Sequence, residues 1–247
     1  MSAAPAGRRD LLRGQALVWA AWDARGGGPG TKVPADRRRV FVDRLRDARA
    51  ALAAAADADP DGWRAAAALI TVSTGAGDPR PVMERWFARA MAANPDAAGA
   101  CVRKGVYLLP RWRGTRPQAD GFAWQCVKSG NTAGRLPEAA VRVAAYECPM
   151  AGSEYLKEPI EVQAWYNSVP MGHAALRGAE AQLRASPGDP YLRSVYARLL
   201  AFRGRVTAHE QFAALGDGYD RAVFPDPAEY ARLRQAAERG WREAGGD

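Results

Sequence analysis

The chain has 247 residues, of which 48% are hydrophobic, and its formal net charge is +8. This composition excludes a chain that is disordered throughout, because it supplies enough apolar side chains for a substantial core. No stretch reaches the about 18 consecutive apolar residues that span a bilayer, so we expect no contact with a membrane. The N-terminal residues lack the pattern of a secretory signal peptide, and we therefore expect a cytoplasmic protein.

Apolar side chains recur at helical spacing along almost the whole chain, and no segment shows sustained alternation of apolar and polar residues. The pattern predicts an all-α protein of about eleven helices joined by short Gly/Pro loops. In chain order the helices are predicted around residues 11–22, 41–56, 63–70, 82–91, 101–108, 122–127, 140–146, 176–183, 192–199, 206–213 and 227–241. A weaker helical pattern lies around residues 160–165.

Glycine and proline divide these segments. Residues 1–30 are predicted to form an N-terminal helix and a Gly/Pro turn, which either packs as a cap or stays partly loose. Asp59-Pro60 is expected to place its proline in the first turn of the next helix, and Ser73 to Pro81 is predicted to be a turn. The whole chain, residues 1–247, is expected to form one continuous helical-repeat domain.

An internal repeat supports this view. Pro60 and Pro95 are 35 residues apart, which is close to the tetratricopeptide period of about 34 residues. Phe87, Ala90 and Pro95 resemble the late aromatic residue, the alanine and the terminal proline of that superfamily, and Gly105 falls where the next repeat has a glycine. The resemblance implies a divergent tetratricopeptide-like α-solenoid of stacked antiparallel hairpins.

A second resemblance covers residues 80–170. It is carried by Trp86 to Pro95, by Leu108-Leu-Pro-Arg-Trp-Arg-Gly-Thr115, by Phe122-Ala, and by Glu147-Cys to Tyr155. These segments resemble the bacterial domain-of-unknown-function family 4034. The resemblance implies a helical repeat fold and no established activity.

The loop around Trp112 is the best sequence candidate for partner binding. Arginine pairs with carboxylates and stacks on tryptophan, and this loop combines both residue types. The candidate partner-binding residues are Arg103, Lys104, Tyr107, Arg111, Trp112, Arg113 and Arg116. The alternative is that Trp112 folds back into the hydrophobic core and that the arginines are solvated or cap helix carbonyls.

Positive charge is concentrated in residues 1–50, with 11 basic and 5 acidic residues, and in residues 100–130, with 6 basic and 1 acidic. These two regions predict an alternative function in binding nucleic acid or another anion. One observation is against nucleic-acid binding. The arginines at 37–39, 44, 46 and 49 alternate with Asp36, Asp43 and Asp47. On a helix these arginines would lie on the solvent-exposed face, with the aspartates as their partners.

Other chemistry has little support in the sequence. Cys101, Cys126 and Cys148 lack the short spacing of a zinc site, and we expect buried thiols and neither a metal nor another cofactor. Glu154, Glu158, Glu161 and His173 form no recognisable catalytic motif, so we expect no enzyme.

The function that the sequence favours is therefore a non-catalytic protein–protein interaction or scaffold module. A peptide or a protein partner would lie in the groove of the helical stack, where Arg103, Lys104 and Arg111 favour an acidic ligand. Trp63, Tyr107 and Tyr196 are candidates for lining that groove, and the oligomeric state is left open.

Overall fold

The computed structural model describes residues 6–27, 30–147 and 159–246, and in these ranges the chain forms helices and no strand. The prediction of an all-α protein is confirmed for this part of the chain. It divides into two compact units, Met1–Gln118 and Ala119–Asp247. One continuous repeat domain over residues 1–247 stays a prediction.

The helices follow the predicted order. The first unit contains α1 (Ala6–Arg25), a short 3-10 turn (Gly30–Lys32), α2 (Ala35–Ala58), α3 (Trp63–Ala76), α4 (Arg80–Ala93) and α5 (Ala98–Tyr107). Helix α6 (Arg116–Lys128) begins at the end of this unit and continues into the second. The second unit contains α7 (Glu138–Glu147), α8 (Pro159–Ser168), α9 (Pro170–Ala185), α10 (Pro190–Phe202), α11 (Ala208–Leu215) and α12 (Pro227–Glu243). The weak pattern around residues 160–165 thus corresponds to a true helix, α8.

Helices α1 and α2 form a close antiparallel hairpin. Gly7, Gly14 and Ala21 recur every seven residues and face α2, where a side chain on Gly14 would come within 2.5 Å of Leu52 Cγ. Gly7 lies against Ala58, near the end of α2. Small residues at this spacing allow two helices to approach closely. The N-terminal helix therefore packs along α2 and is not a loose cap.

Two arginines of α2 bond to backbone carbonyls near the C-terminal end of α1. Arg37 Nε donates a 2.7 Å hydrogen bond to the carbonyl of Ala24, and Arg44 Nη1 donates one of 2.7 Å to the carbonyl of Ala20. The carbonyl of Ala24 lies in the last turn of α1, where it has no partner within the helix, so Arg37 satisfies an acceptor that would otherwise need water. The expectation that Arg44 lies on a solvent face with neighbouring aspartates as partners is wrong, because Arg44 is half-buried and bonds to α1.

The core of the first unit lies between α1, α2 and α3. Trp22 meets Phe41 edge to face, with ring centroids 5.1 Å apart. The buried residues of this cluster are Ala21, Phe41, Leu45, Ala48, Leu52, Ala68, Leu69 and Val72.

Two details of helix α3 differ from expectation. The helix begins at Trp63, so Pro60 lies in the preceding turn and not in the first helical turn. It continues past Ser73 to Ala76, so the first part of the predicted turn is helical. Gly77 ends it with a φ of 72°, a left-handed conformation that glycine adopts without steric cost.

In the second unit, α9 packs against α7, α8 and α10, and α10 packs in turn against α11. Arg203, which is only 4% exposed, follows α10 and donates to the carbonyl of Tyr166 at 2.6 Å and to His173 Nδ1 at 3.2 Å. This buried guanidinium ties the end of α10 to α8 and α9. Burial lowers the pKa of Arg203 from its usual value.

Candidate functional site

The loop between α5 and α6 turns Trp112 towards the first unit's core. Its backbone is held by hydrogen bonds from Trp112 N to Leu109 O (2.9 Å) and from Arg113 N to Tyr107 O (3.2 Å). The half-buried Trp112 ring meets Trp22 of α1 edge to face, with centroids 5.4 Å apart. This contact agrees with the alternative in which Trp112 folds back towards the hydrophobic core. The ring packs against α1, however, and not against the helices on either side of its loop.

Two further candidate residues make inward contacts. Lys104 Nζ lies 2.7 Å from Glu84 Oε2 and 4.1 Å from the centroid of the Phe87 ring, and its side chain is only 12% exposed. Tyr107 is fully buried, and its hydroxyl donates a 2.7 Å hydrogen bond to the carbonyl of Asp78. Burial raises the pKa of Tyr107. These contacts stabilise the α3–α5 region.

The four candidate arginines have different surroundings. Arg103 Nη1 donates to the carbonyl of Gly99 at 2.8 Å, within its own helix. Arg113 is exposed and its guanidinium lies against Gly77, whereas Arg111 and Arg116 are half-buried. The seven residues therefore do not form one exposed patch, and their role in partner binding stays a prediction.

The other residues proposed to line a groove lie in different units. Trp63 is a half-buried residue of the first unit, with the Arg64 guanidinium 5.1 Å from its ring centroid. Tyr196 is a half-buried residue of the second unit, and burial raises its pKa.

Most arginines of the basic region 1–50 are engaged within the first unit. Besides Arg37 and Arg44, Arg38 Nη2 donates to the carbonyl of Gly30 at 3.1 Å. Arg49 Nη2 contacts both carboxylate oxygens of Asp78, at 3.0 and 2.7 Å. Such contacts reduce the number of guanidinium groups that can reach a phosphate backbone without rearrangement.

Only one of the carboxylates considered for catalysis, Glu161, belongs to the described residues. Glu154 and Glu158, together with Tyr155 and Cys148, lie outside the described residues. Glu161 is exposed on α8, and the His173 ring bonds to the carbonyl of Asn167 and to Arg203. Within ranges 6–27, 30–147 and 159–246, no group of three His, Cys, Asp or Glu side chains could hold a metal ion.

The second unit contains a cavity that the sequence did not indicate. Its volume is about 310 Å³, and it lies between α7, α8, α10 and the segment before α12. The lining residues are Val141, Arg142, Ala145, Val162, Tyr166, Tyr191, Val195, Arg198, Leu199, Phe202, Ala222 and Val223. Most of this surface is apolar, and no acidic side chain contributes to it.

Two polar residues of the cavity, Arg198 and Tyr191, are paired with carboxylates that do not line it. Arg198 Nη2 lies 2.7 Å from Glu229 Oε1 of α12, and its guanidinium lies 5.1 Å from the Phe202 ring centroid. The Tyr191 hydroxyl donates a 2.8 Å hydrogen bond to Glu138 Oε1 of α7. Burial, reinforced by this hydrogen bond to a carboxylate, raises the pKa of Tyr191 to about 12. The phenol is therefore neutral at physiological pH, so it offers a polar edge without charge.

Arg142 differs from the other polar residues of the cavity. Its side chain is exposed on α7, and it has no hydrogen-bond or ion-pair partner among the residues that the structure describes. The positive charge of Arg142 also acts on Tyr191. It lowers the pKa of that phenol, but by less than burial and the hydrogen bond to Glu138 raise it. Arg142 therefore places an exposed positive charge at the edge of the cavity.

The sequence carried a signal for one wall of this cavity. Tyr191, Val195, Arg198 and Phe202 follow one another at spacings of three or four residues, which places them on one face of α10. The same spacing describes a helix face that is covered by a neighbour. The spacing does not show that this face borders a cavity together with residues of α7 and α8.

Comparison of the chain with models of protein families, with curated proteins and with solved structures finds no match. In the described part of the chain, none of the helices combines the length and apolar character that crossing a membrane requires.

Proposed function

We propose that the protein is a non-catalytic interaction module, and that it binds a peptide segment of a partner protein in the cavity of the second unit. The cavity carries this proposal, because it is an apolar depression with three aromatic side chains and a cation at its edge. Partner segments commonly insert one or two apolar anchor side chains into a depression of this kind.

The volume of the cavity favours a side chain over a free metabolite. Sites for small molecules range upward from about 300 Å³, so a cavity of about 310 Å³ is at the low end of that range. An anchor side chain needs less space than a drug-sized ligand, and the rest of its peptide would contact the surrounding helices.

The chemistry of the lining favours binding over catalysis. The lining residues are aliphatic, aromatic or arginine, with no His, Cys, Ser, Asp or Glu among them. The Tyr191 phenol is a poor proton donor or acceptor near neutral pH, because its pKa is about 12. The residues can position and desolvate a bound segment, but they offer no nucleophile or general base.

The architecture that we propose for this module is a divergent tetratricopeptide-like stack of hairpins, located in the cytoplasm. Its support is the antiparallel α1/α2 hairpin, the contacts between successive helices such as α3 with α4 and α10 with α11, and the 35-residue spacing of Pro60 and Pro95. Membership of the bacterial domain-of-unknown-function family 4034 stays part of this proposal. Binding of nucleic acid through residues 1–50 and 100–130 is less favoured, because Arg37, Arg44 and Arg49 already have partners within the first unit.

Selection of peptides tests the proposal. A random peptide library displayed on phage would be selected on the wild-type protein, and the enriched peptides would be measured on the variant Ala145→Phe. Ala145 is exposed and lines the cavity, so a phenyl ring there would obstruct the opening without disturbing the core. The matched control is Ala236→Phe, at an exposed position of α12 that does not line the cavity.

We expect enriched peptides to lose at least tenfold in affinity on Ala145→Phe and to bind Ala236→Phe as they bind wild type. Unchanged melting temperatures of both variants would show that the fold is intact. Peptides that bind all three proteins equally would refute the assignment of the cavity.

A further inference from the structure

The charges around the cavity limit the kind of segment that it can accept. Two arginines and no acidic residue line it. Arg198 is paired with Glu229 through contacts of 3.2 and 2.7 Å, so its charge is largely compensated. Arg142 has no such partner within the described residues and is exposed to solvent. Arg142 is therefore the cavity cation that has no carboxylate partner among the described residues.

The apolar and charged parts of the cavity are adjacent. Val141 directly precedes Arg142 on α7, Ala145 follows it by three residues, and both line the same cavity. Val162 of α8 and Leu199 of α10 complete an aliphatic wall. An occupant that inserts an apolar side chain among these residues would bring its neighbouring residues within reach of the Arg142 guanidinium, because a long arginine side chain extends several ångströms from the helix.

We infer that the partner segment carries an acidic residue beside its apolar anchor, and that Arg142 pairs with this carboxylate. The inference rests on the proposed peptide-binding function and specifies the chemistry of the peptide. Arginine suits the role because its planar guanidinium can donate two parallel hydrogen bonds to one carboxylate. A lysine beside the anchor would be repelled by the same charge.

A defined peptide set tests the inference. The probes are fluorescein-labelled octapeptides with a central Leu or Phe, flanked by Asp or Glu in one set, by Asn or Gln in a second, and by Lys in a third. Their affinities would be measured by fluorescence polarisation on wild type, on Arg142→Gln and on the control Arg232→Gln. Arg232 is an exposed residue of α12 that does not line the cavity.

The acidic set should bind wild type and Arg232→Gln about fivefold more tightly than the amide set, as expected for one partly exposed ion pair. On Arg142→Gln the two sets should bind equally. Equal affinity of the acidic and amide sets for wild type would overturn the inference, as would a preference for the lysine set. In the case of equal affinities, the peptides can then be measured on Ala145→Phe. Loss of their binding on this variant would leave the proposed function standing, whereas binding unaffected by Ala145→Phe would refute the proposed function itself.

Discussion

Trp112 and Trp22 meet edge to face, with ring centroids 5.4 Å apart and ring planes at 89°. Trp22 lies on α1 and Trp112 on the loop after α5, so the contact joins residues that are far apart in the sequence. The Arg25 guanidinium lies 5.6 Å from the Trp22 centroid and 5.8 Å from the Trp112 centroid. This arrangement gives the loop a structural role that can be measured.

We expect Trp112→Ala to lower the free energy of unfolding by about 2 kcal/mol, because it removes a half-buried aromatic ring and its contact with Trp22. Urea denaturation followed by circular dichroism would measure the change. Trp19→Ala is the matched control, since Trp19 is 72% exposed and its loss should cost less than about 0.5 kcal/mol. Equal effects of the two substitutions would show that the Trp112 ring contributes little to the fold.

A second prediction concerns the close contact of α1 and α2. Alanine normally stabilises a helix by about 1 kcal/mol relative to glycine. Gly14→Ala should instead destabilise the protein by about 1–3 kcal/mol, because the new methyl group would lie 2.5 Å from Leu52 Cγ. Gly121→Ala within α6 is the control: nothing lies within 4 Å of its added Cβ, so it should increase stability. A stabilising effect of Gly14→Ala would contradict the close packing of the hairpin.

The hydrogen bond from Tyr191 to the buried Glu138 predicts a dependence on pH. Tyr191→Phe should lower the free energy of unfolding by about 1 kcal/mol at pH 8, since it leaves a buried carboxylate without this donor. The folded-state pKa of Tyr191, about 12, is above the usual value of 10.0. The stabilisation is therefore complete below about pH 10 and is lost as the pH rises towards 12.

Urea denaturation of wild type and Tyr191→Phe at pH 8 and pH 11 would measure this loss. The stability difference between the two proteins should shrink at the higher pH, while the other tyrosines affect both proteins alike. A difference that is the same at both pH values would show that Tyr191 ionises normally in the folded protein.

The ion pair between Lys104 and Glu84 predicts a measurable coupling. A double-mutant cycle with Lys104→Met and Glu84→Gln should give a coupling free energy of about 1 kcal/mol, because the Lys104 side chain is only 12% exposed. The comparison pair is Arg46 and Asp43, whose side chains are 71% and 48% exposed. Their coupling should stay below about 0.5 kcal/mol, as is usual for surface pairs. Couplings of equal size would mean that burial does not strengthen the Lys104 contact.

The helices themselves could be predicted because their signal is local. Apolar residues at spacings of three and four mark each helix regardless of its neighbours, and even the weak pattern around residues 160–165 belongs to a helix. Helix ends were less certain. The end of α3 depends on Gly77, and a glycine in the sequence does not reveal that its φ is 72°.

The role of each arginine could not be predicted in the same way. Arg46 pairs with Asp43 within its helix, as the spacing of three residues suggests. Arg44 bonds to Ala20 and Arg49 to Asp78, which are 24 and 29 residues away. Sequence spacing cannot anticipate such partners, because they depend on how separate helices pack.

By itself, then, the sequence determined the all-helical character of the described chain and the approximate position of its helices. Tertiary structure alone decided that Trp112 packs on Trp22, that Lys104 and Tyr107 face inward, and that α7, α8 and α10 leave a cavity beside Arg142. The physical reason is the range of the interactions. Helix formation depends on residues within one or two turns, whereas burial, ion pairing and cavities depend on contacts between segments that are distant along the chain.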